Sequence, residues 1–324
     1  MRSPCLWLKI TCALVFLLFF ASISYAAQHQ QRQHKTATQQ KTTSSSGATQ
    51  VAGGAGNTRT VTFVNNCTEK VWWGVVTNDK GNDCGSGFYA NPANGGGELA
   101  ANGGRQTITI NLEKACGNNY QWSGNFYGRT GCKFVNGIGL CETGGCADQL
   151  YCKPGVGGNP PKTLTEFTFK SNDVDIYDVS NVDGSNVPIK IRVTNIISKP
   201  RNDKYGCGDS ACLFDFRKET SPTDQSVCLN DLKARNAKGD LVGCKSACTA
   251  FDAGHADRMA NSKYCCTGSY FGPKGRNNYG NCPPTSYSQF FKSKCSDAYS
   301  WPQDDNNSTY ACVATAYEVT FCAK

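Results

Sequence analysis

Cysteine usage is the sequence feature that most restricts how this chain can fold. The sequence contains twenty cysteines. Two of them lie in the N-terminal apolar segment, and the other eighteen are spread from Cys67 to Cys322. In a chain exported to an oxidising compartment, an even number of cysteines predicts a disulfide framework, here of up to nine bridges.

Zinc binding is the competing use of so many thiols. The spacing of Cys141, Cys146 and Cys152 superficially suggests a zinc site. Zinc sites of this kind usually include histidine, and His255 is the single histidine after residue 58. Because the oxidising compartment favours disulfides, we expect no metal site and no cofactor.

The N-terminus has the pattern of a secretory signal peptide at residues 1–26. Arg2 and Lys9 flank the start of an apolar run at residues 10–20, and small residues around Ala26 form a cleavage site. The apolar run is shorter than a membrane span, and no later stretch reaches that length. We therefore expect a secreted, extracellular protein without a transmembrane segment.

Residues 27–58 are rich in Gln, Thr, Ser, Ala and Gly and contain no acidic or aromatic residue. Such a composition cannot bury enough apolar surface to offset the ordering entropy, which predicts a disordered segment. The remainder, residues 59–324, is long enough for one domain with a substantial core. Its net charge is about +3, since five of the 33 basic residues and none of the acidic ones precede it. No basic cluster indicates nucleic-acid binding.

Residues 163–191 contain two strand-like runs that bring carboxylates together. Leu164, Glu166 and Thr168 alternate with Thr165, Phe167 and Phe169, so Glu166 points away from the phenylalanine face. A second run at residues 174–182 contains Asp178, and Asp183 follows it in a turn with Gly184. One interpretation is an acidic cleft. The alternative is that Asp173, Asp175 and Asp183 are ordinary residues of turns and solvated strands.

The rest of the chain indicates a mainly β protein. Short β-like runs lie at residues 60–64, 72–77, 107–112 and 317–321, residues 78–104 resemble a long loop, and residues 229–238 contain good helix formers. This pattern predicts a β-sandwich built from residues 59–130, 165–212 and 296–324. Two disulfide-rich insertions interrupt it: a small hairpin lobe at residues 131–164 and a loop-rich lobe with short helices at residues 213–295.

Several motifs together resemble those of one family. They are Gly137-Ile-Gly-Leu-Cys-Glu-Thr-Gly-Gly-Cys-Ala-Asp-Gln-Leu-Tyr-Cys152, Pro160-Pro-Lys-Thr-Leu-Thr-Glu-Phe167, Asp178-Val-Ser-Asn-Val-Asp-Gly184, Tyr264-Cys-Cys266 and the run from Cys282 to Ser300. On these motifs the chain resembles the thaumatin-like proteins, the plant pathogenesis-related family 5, of osmotin and zeamatin type. Two departures are Gly145, where the family usually has Asp, and Ser185, where it commonly has Phe.

The resemblance implies a disulfide pairing. The implied bridges are Cys67–Cys322, Cys132–Cys141, Cys146–Cys152, Cys207–Cys312, Cys212–Cys295, Cys228–Cys244, Cys248–Cys265 and Cys266–Cys282. Cys84 and Cys116 are left over, and we predict a ninth bridge between them that closes the long Gly-rich loop.

The resemblance also implies a cleft lined by one Arg, one Glu and three Asp. The positions that match are Arg129, Glu166, Asp178, Asp183 and Asp304, with Asp305 an alternative to Asp304. Trp301, Tyr299 and Phe291 are either stacking surfaces for sugar rings or residues of the core.

The predicted function is that of a secreted antifungal defence protein, a monomer, whose cleft binds β-1,3-glucan or another component of the fungal cell surface. An alternative is an endo-β-1,3-glucanase, with Glu166 as acid and Asp183 or Asp178 activating water. A third possibility, inhibition of a microbial hydrolase, rests on the family alone. The candidate glycosylation sites are Asn66, Asn306 and Asn307.

Overall fold

The computed structural model describes residues 55–80, 87–114, 119–271 and 281–324. The predicted signal peptide lies outside the described residues, as do Cys84 and Cys116 of the predicted ninth bridge. Within the described ranges, no helix has the length and apolar character needed to cross a bilayer.

The described residues form fifteen strands and two short α-helices. The strands are β1 (Thr58–Asn65), β2 (Val71–Thr77), β3 (Gly96–Leu99), β4 (Gly104–Asn111), β5 (Glu113–Lys114), β6 (Tyr120–Arg129), β7 (Lys133–Val135), β8 (Ile138–Leu140), β9 (Leu164–Lys170), β10 (Asp175–Ser180), β11 (Ile189–Ser198), β12 (Ser210–Cys212), β13 (Lys233–Arg235), β14 (Leu241–Cys244) and β15 (Tyr310–Phe321). The helices are α1 (Ala256–Ala260) and α2 (Ser286–Lys294), and single helical turns occur at Pro92–Gly95, Asn230–Leu232, Cys248–Asp252, Gly268–Tyr270 and Asp305–Asn307.

The long strand β15 belongs to both layers of a sandwich. Its first residues, Tyr310–Cys312, pair antiparallel with β10, and β9, β6, β2 and β3 continue that layer in this order. Its later residues pair parallel with β1 and antiparallel with β11, and β4 and β12 extend the second layer at either side. The predicted mainly β sandwich is therefore confirmed.

Aromatic residues fill the space between the two layers. Phe63 of β1 stacks on Trp73 of β2 with ring centroids 4.7 Å apart, and Phe167 of β9 meets Tyr317 of β15 edge-on at 5.5 Å. Each pair joins one layer to the other and buries both rings. The odd-numbered residues of β9 thus face the core, and Glu166 faces the opposite side of the sheet.

Eight disulfides are present, with the pairing that the resemblance implies. Cys67–Cys322 joins the end of β1 to the end of β15 across 255 residues. In the chain-entropy model a loop of this length stabilises the fold by about 5 kcal/mol. The small lobe contains two of the bridges, and the loop-rich lobe, which has few strands, contains three.

The structure corrects two predicted segments. Residues 229–238 do not form a helix: a single 3-10 turn at Asn230–Leu232 leads into β13, which pairs with β14. The extended backbone allows the alternate side chains Lys233 and Arg235 both to reach Glu219, at 2.9 and 2.6 Å. The loop predicted at residues 78–104 contains β3, whose backbone pairs with β2.

The predicted boundary after residue 58 also moves. Strand β1 begins at Thr58, and Ala55 is already buried. The guanidinium of Arg59 donates to the carbonyl oxygens of Ala55 and Gly56 and forms a fully buried ion pair with Asp175 at 2.7 Å. The ordered domain therefore includes residues just before the predicted start.

Candidate functional site

Three polar residues form a row across the sheet face that points away from the aromatic core. Glu166 of β9 lies directly opposite Asn125 of β6 on one side and Asp178 of β10 on the other. Directly opposed residues of antiparallel strands have side chains on the same face, with Cβ atoms about 5 Å apart. Asn125, Glu166 and Asp178 are 3%, 7% and 1% exposed, so this row is almost entirely covered. We call these three residues the carboxyl row.

Burial raises the pKa of both carboxyl groups. Burial and then the charge of Asp183 raise the pKa of Glu166 to about 8, although Ser180, Asp178 and Lys162 act in the opposite direction. Burial and then the charges of Glu166 and Asp305 raise the pKa of Asp178 well above its ordinary value. Two adjacent buried carboxyl groups cannot both ionise without a large repulsion, so both groups favour the protonated form more than ordinary carboxyl groups do.

The carboxyl row has more acceptors than donors. Within the described part of the chain, no N–H or hydroxyl group donates to either oxygen of Asp178 or to Oδ1 of Asn125. The hydrogen bond between the Glu166 and Asp178 carboxyl groups involves only one of these oxygens. Since a buried acceptor without a donor is unfavourable, the row is suited to a group that brings hydroxyl or N–H donors.

Asp183 lies beside the carboxyl row and pairs with a cation that the sequence patterns do not reveal. Its side chain, about one fifth exposed, forms an ion pair with the buried Lys162. The ammonium group of Lys162 also lies 5.6 Å from the ring centroid of Tyr127. In the sequence, Lys162 is a single lysine in the Pro160-Pro161-Lys162-Thr163 motif, and only its position before β9 hints at proximity to the site.

Arg129 was predicted to line the cleft together with the carboxylates, but in the described part of the chain its hydrogen bonds go to other groups. Its guanidinium is completely buried and donates to the carbonyl oxygens of Trp73, Gln149 and Leu150 at 2.7 to 3.0 Å. The residue of β6 that faces Glu166 is Asn125, four positions earlier. Arg129 therefore fastens the small lobe to β2 and has a structural role.

Asp304 is also placed differently from the prediction. Its carboxylate is 2% exposed, accepts hydrogen bonds from the backbone and hydroxyl of Ser300 and pairs with Lys292 of α2 at 2.8 Å. The next residue, Asp305, is the one whose charge raises the pKa of Asp178, and it accepts a hydrogen bond of 2.8 Å from Tyr299. The alternative, Asp305, is thus the aspartate near the carboxyl row.

A hollow opens beside the turn that contains Asp183. Val182, Ser300 and Trp301 line it from the sandwich, and Lys263, Tyr264 and Tyr287 are among the residues that line it from the loop-rich lobe. The rings of Trp301, Tyr264 and Tyr287 are partly exposed. We call this feature, defined by those six residues, the aromatic hollow.

Of the three aromatic residues considered for stacking, two belong to the core. Phe291 is 1% exposed and Tyr299 is 7% exposed, whereas Trp301 remains accessible. Ser185 joins the sandwich to the loop-rich lobe: its backbone exchanges two hydrogen bonds of 2.8 Å with Cys244, and its hydroxyl contacts that of Thr163. Position 185 therefore has no aromatic ring on which a sugar could stack.

The three glycosylation candidates, Asn66, Asn306 and Asn307, all have exposed side chains. Asn306 and Asn307 lie in the 3-10 turn that starts at Asp305. Glycosylation at these positions stays a prediction.

Comparisons with known proteins agree with the fold. The Thaumatin family model matches residues 65–323. A pathogenesis-related thaumatin-like protein 3.5 of Cryptomeria japonica is 37% identical over 262 residues, which cover 81% of this chain and 88% of that protein. Pathogenesis-related protein 5 of Arabidopsis thaliana is 37% identical over 263 residues, covering 81% and 89% of the two chains.

These observations define the class of protein: a disulfide-rich, mainly β sandwich with a buried row of carboxyl groups. The chain belongs to the thaumatin family, as its motifs predicted. Among solved structures, the thaumatin-like xylanase inhibitor TLXI is 18% identical, with a TM-score of 0.33, and the match covers 81% of this chain and 99% of that chain. A likeness this distant supports no statement about function.

Proposed function

We propose that this chain is an exported defence protein that binds β-1,3-glucan or another fungal surface component at the carboxyl row and the aromatic hollow. The family and the pathogenesis-related names of its relatives support a role in defence. The predicted signal peptide and the eight described disulfides support action outside the cell.

One observation carries the proposal: the aromatic hollow is lined by Val182, the residue before Asp183, and the charge of Asp183 acts on the carboxyl row. Sugars present hydroxyl donors at their edges and apolar C–H faces to aromatic rings. Asp183 and Asp305 are only partly buried, and their charges help to raise the pKa of Glu166 and of Asp178, respectively. The partly exposed rings of Trp301, Tyr264 and Tyr287 offer flat apolar surface nearby.

The test is retention of the purified protein on insoluble β-1,3-glucan. We expect Trp301→Ala to reduce the retained fraction by about tenfold, because it removes a central aromatic contact. Tyr120→Ala is the matched control, since Tyr120 is a 36% exposed aromatic residue at the start of β6. No retention of the wild type, or equal loss in both variants, would contradict glucan binding at this site.

A second candidate function is endo-β-1,3-glucanase activity. The raised pKa of Glu166, about 8, favours it because a general acid must be protonated at neutral pH. Asp178 lies directly opposite Glu166 and its own pKa is raised well above the ordinary value by burial, so it is poorly suited to be the ionised second carboxylate. Asp183, paired with Lys162, is then the partner.

Release of reducing ends from linear β-1,3-glucan distinguishes the two functions. Release by the wild type that is lost in Glu166→Gln would establish hydrolysis. Near-zero release by both proteins, with retention on insoluble glucan unchanged, would leave a binding protein.

A further inference from the structure

Negative charge predominates around the carboxyl row. Both charges that act on Asp178, those of Glu166 and Asp305, are negative. Lys162 lowers the pKa of Glu166, but its ammonium group forms the ion pair with Asp183. A buried carboxylate is stable only with a cation or several hydrogen-bond donors, so without a ligand the row favours protonated carboxyl groups.

The cations of neighbouring elements are already engaged. The guanidinium of Arg129, the cation predicted for this cleft, donates to three carbonyl oxygens. Lys292 of α2 pairs with Asp304, the residue before Asp305, at 2.8 Å. A positive charge that compensates Asp178 therefore has to arrive with a ligand.

Acceptors without donors extend beyond the two carboxyl groups. Asn125 is 3% exposed and lies directly opposite Glu166, and its Oδ1 receives no hydrogen bond within the described ranges. In the adjacent row, Asn78 donates to Ser123 at 2.8 Å, while its own Oδ1 has no donor among the described residues either. An incoming group thus meets carboxyl and amide oxygens together, which suits a group with several N–H donors.

A protonated amine complements these oxygens better than a hydroxyl group does. An ammonium group has three donors and a positive charge, whereas a hydroxyl group has one donor and is itself an acceptor. Hydrogen bonds between charged partners are also about twice as strong as those between neutral ones. A neutral amine fits as well: the proton of the Glu166 carboxyl group passes to the amine nitrogen, which leaves an ammonium–carboxylate pair without net proton uptake.

The aromatic hollow favours a sugar as the carrier of the amine. Val182, which lines the hollow, precedes Asp183, and the charge of Asp183 acts on Glu166. The partly exposed rings of Trp301 and Tyr264 offer apolar surface for the face of a sugar ring. Because the carboxyl row is almost entirely covered, only a small substituent that projects from a ring can enter it.

We propose that the carboxyl row selects a cationic amino sugar, so that the polymer bound at this site consists of unacetylated glucosamine units. The inference rests on the proposed function, because it names the ligand class of the same site. The amine of one unit enters the row, and neighbouring units lie along Asp183 and the aromatic hollow. Residues 59–324 have a net charge of about +3, so the protein as a whole repels a polycation, and retention reports the local site.

The test compares retention of the purified protein on two insoluble polymers that differ in the amine, which is free in chitosan and acetylated in chitin. At pH 6 we expect about tenfold more retention on chitosan, the contribution of one charge-assisted hydrogen bond. Asp178→Asn and Glu166→Gln should each abolish the preference, and thermal unfolding checks that both variants are folded. The matched control is Asp173→Asn, which removes the same charge from an exposed side chain that pairs with Lys170.

Equal retention on chitosan and chitin, or equal loss in Asp178→Asn and Asp173→Asn, would overturn the proposal. Displacement by polylysine but not by soluble glucosamine oligomers would also overturn it and assign the row to a basic peptide. Retention on β-1,3-glucan is measured in parallel. Glucan binding without a preference for chitosan would refute this inference alone, whereas absence of retention on every polymer would contradict the proposed function as well.

Discussion

Glu166 and Asp178 are direct neighbours across β9 and β10, with both carboxyl groups almost completely buried on the same face of the sheet. Burial and the nearby carboxylates raise the pKa of both groups, so the charge of the site depends on pH. Asp183 and Lys162 border this pair as an ion pair.

The buried carboxyl groups of Glu166 and Asp178 predict that the free energy of unfolding falls as pH rises. The pKa of Glu166 is raised from an ordinary 4.5 to about 8, so between these values the folded protein binds more protons than the unfolded chain. The free energy of unfolding therefore decreases across this window and levels off above it. We expect Glu166→Gln to flatten the decrease, which denaturant unfolding without reductant at pH 5, 7 and 9 would measure. An equally steep decrease in the variant would assign the pH dependence to other groups.

Lys162→Gln should destabilise the protein by about 2 to 3 kcal/mol, because it leaves the Asp183 carboxylate uncompensated beside Glu166. It should also raise the pKa of Glu166 further, since Lys162 lowers it. Lys170→Gln is the control: Lys170 pairs with the exposed Asp173 at 3.1 Å, and its loss should change stability by no more than about 0.5 kcal/mol. The free energies of unfolding are measured by urea titration at pH 7. Equal losses in Lys162→Gln and Lys170→Gln would argue that Lys162 does not stabilise the buried site.

Arg129→Lys should reduce stability by about 2 kcal/mol and leave glucan retention unchanged. The three carbonyl oxygens are bound by two separate nitrogens of the planar guanidinium, a geometry that the single ammonium nitrogen of lysine does not reproduce. Arg105→Lys provides the comparison, because Arg105 is more than half exposed and its ion pair with Glu318 contributes little. If Arg129→Lys instead lost glucan retention at normal stability, Arg129 would belong to the binding site after all.

Gly184→Ala should disturb the turn that places Asp183. Gly184 has φ of +93°, and a Cβ there would lie 2.4 Å from the carbonyl oxygen of Cys244. Gly239 has a similar φ of +89° with open space around it, so Gly239→Ala isolates the backbone strain, about 1 kcal/mol. We expect Gly184→Ala to be more destabilising than Gly239→Ala by 1 kcal/mol or more in thermal unfolding. Equal destabilisation by the two variants would mean that the backbone at Cys244 moves away from the new Cβ at no cost in stability.

The sequence by itself determined the class of fold and the orientation of single strands. Alternation at residues 164–169 placed Phe167 and Phe169 in the core and Glu166 on the other face, because side chains of a strand alternate whatever lies next to it. The motifs identified the family, and with it the pairing of the eight described bridges. These features depend on local geometry or on patterns that are contiguous in the chain.

Only the tertiary structure decided which side chains meet. Strand register brought Asn125 opposite Glu166 and left Arg129, four residues later, to bind carbonyl oxygens of the small lobe. The paths by which the chain enters β9 and β15 made Lys162 and Asp305, which precede these strands, neighbours of the carboxyl groups. Contacts between residues distant in sequence depend on register and on how loops return, and a shift of one residue would turn each side chain to the opposite face.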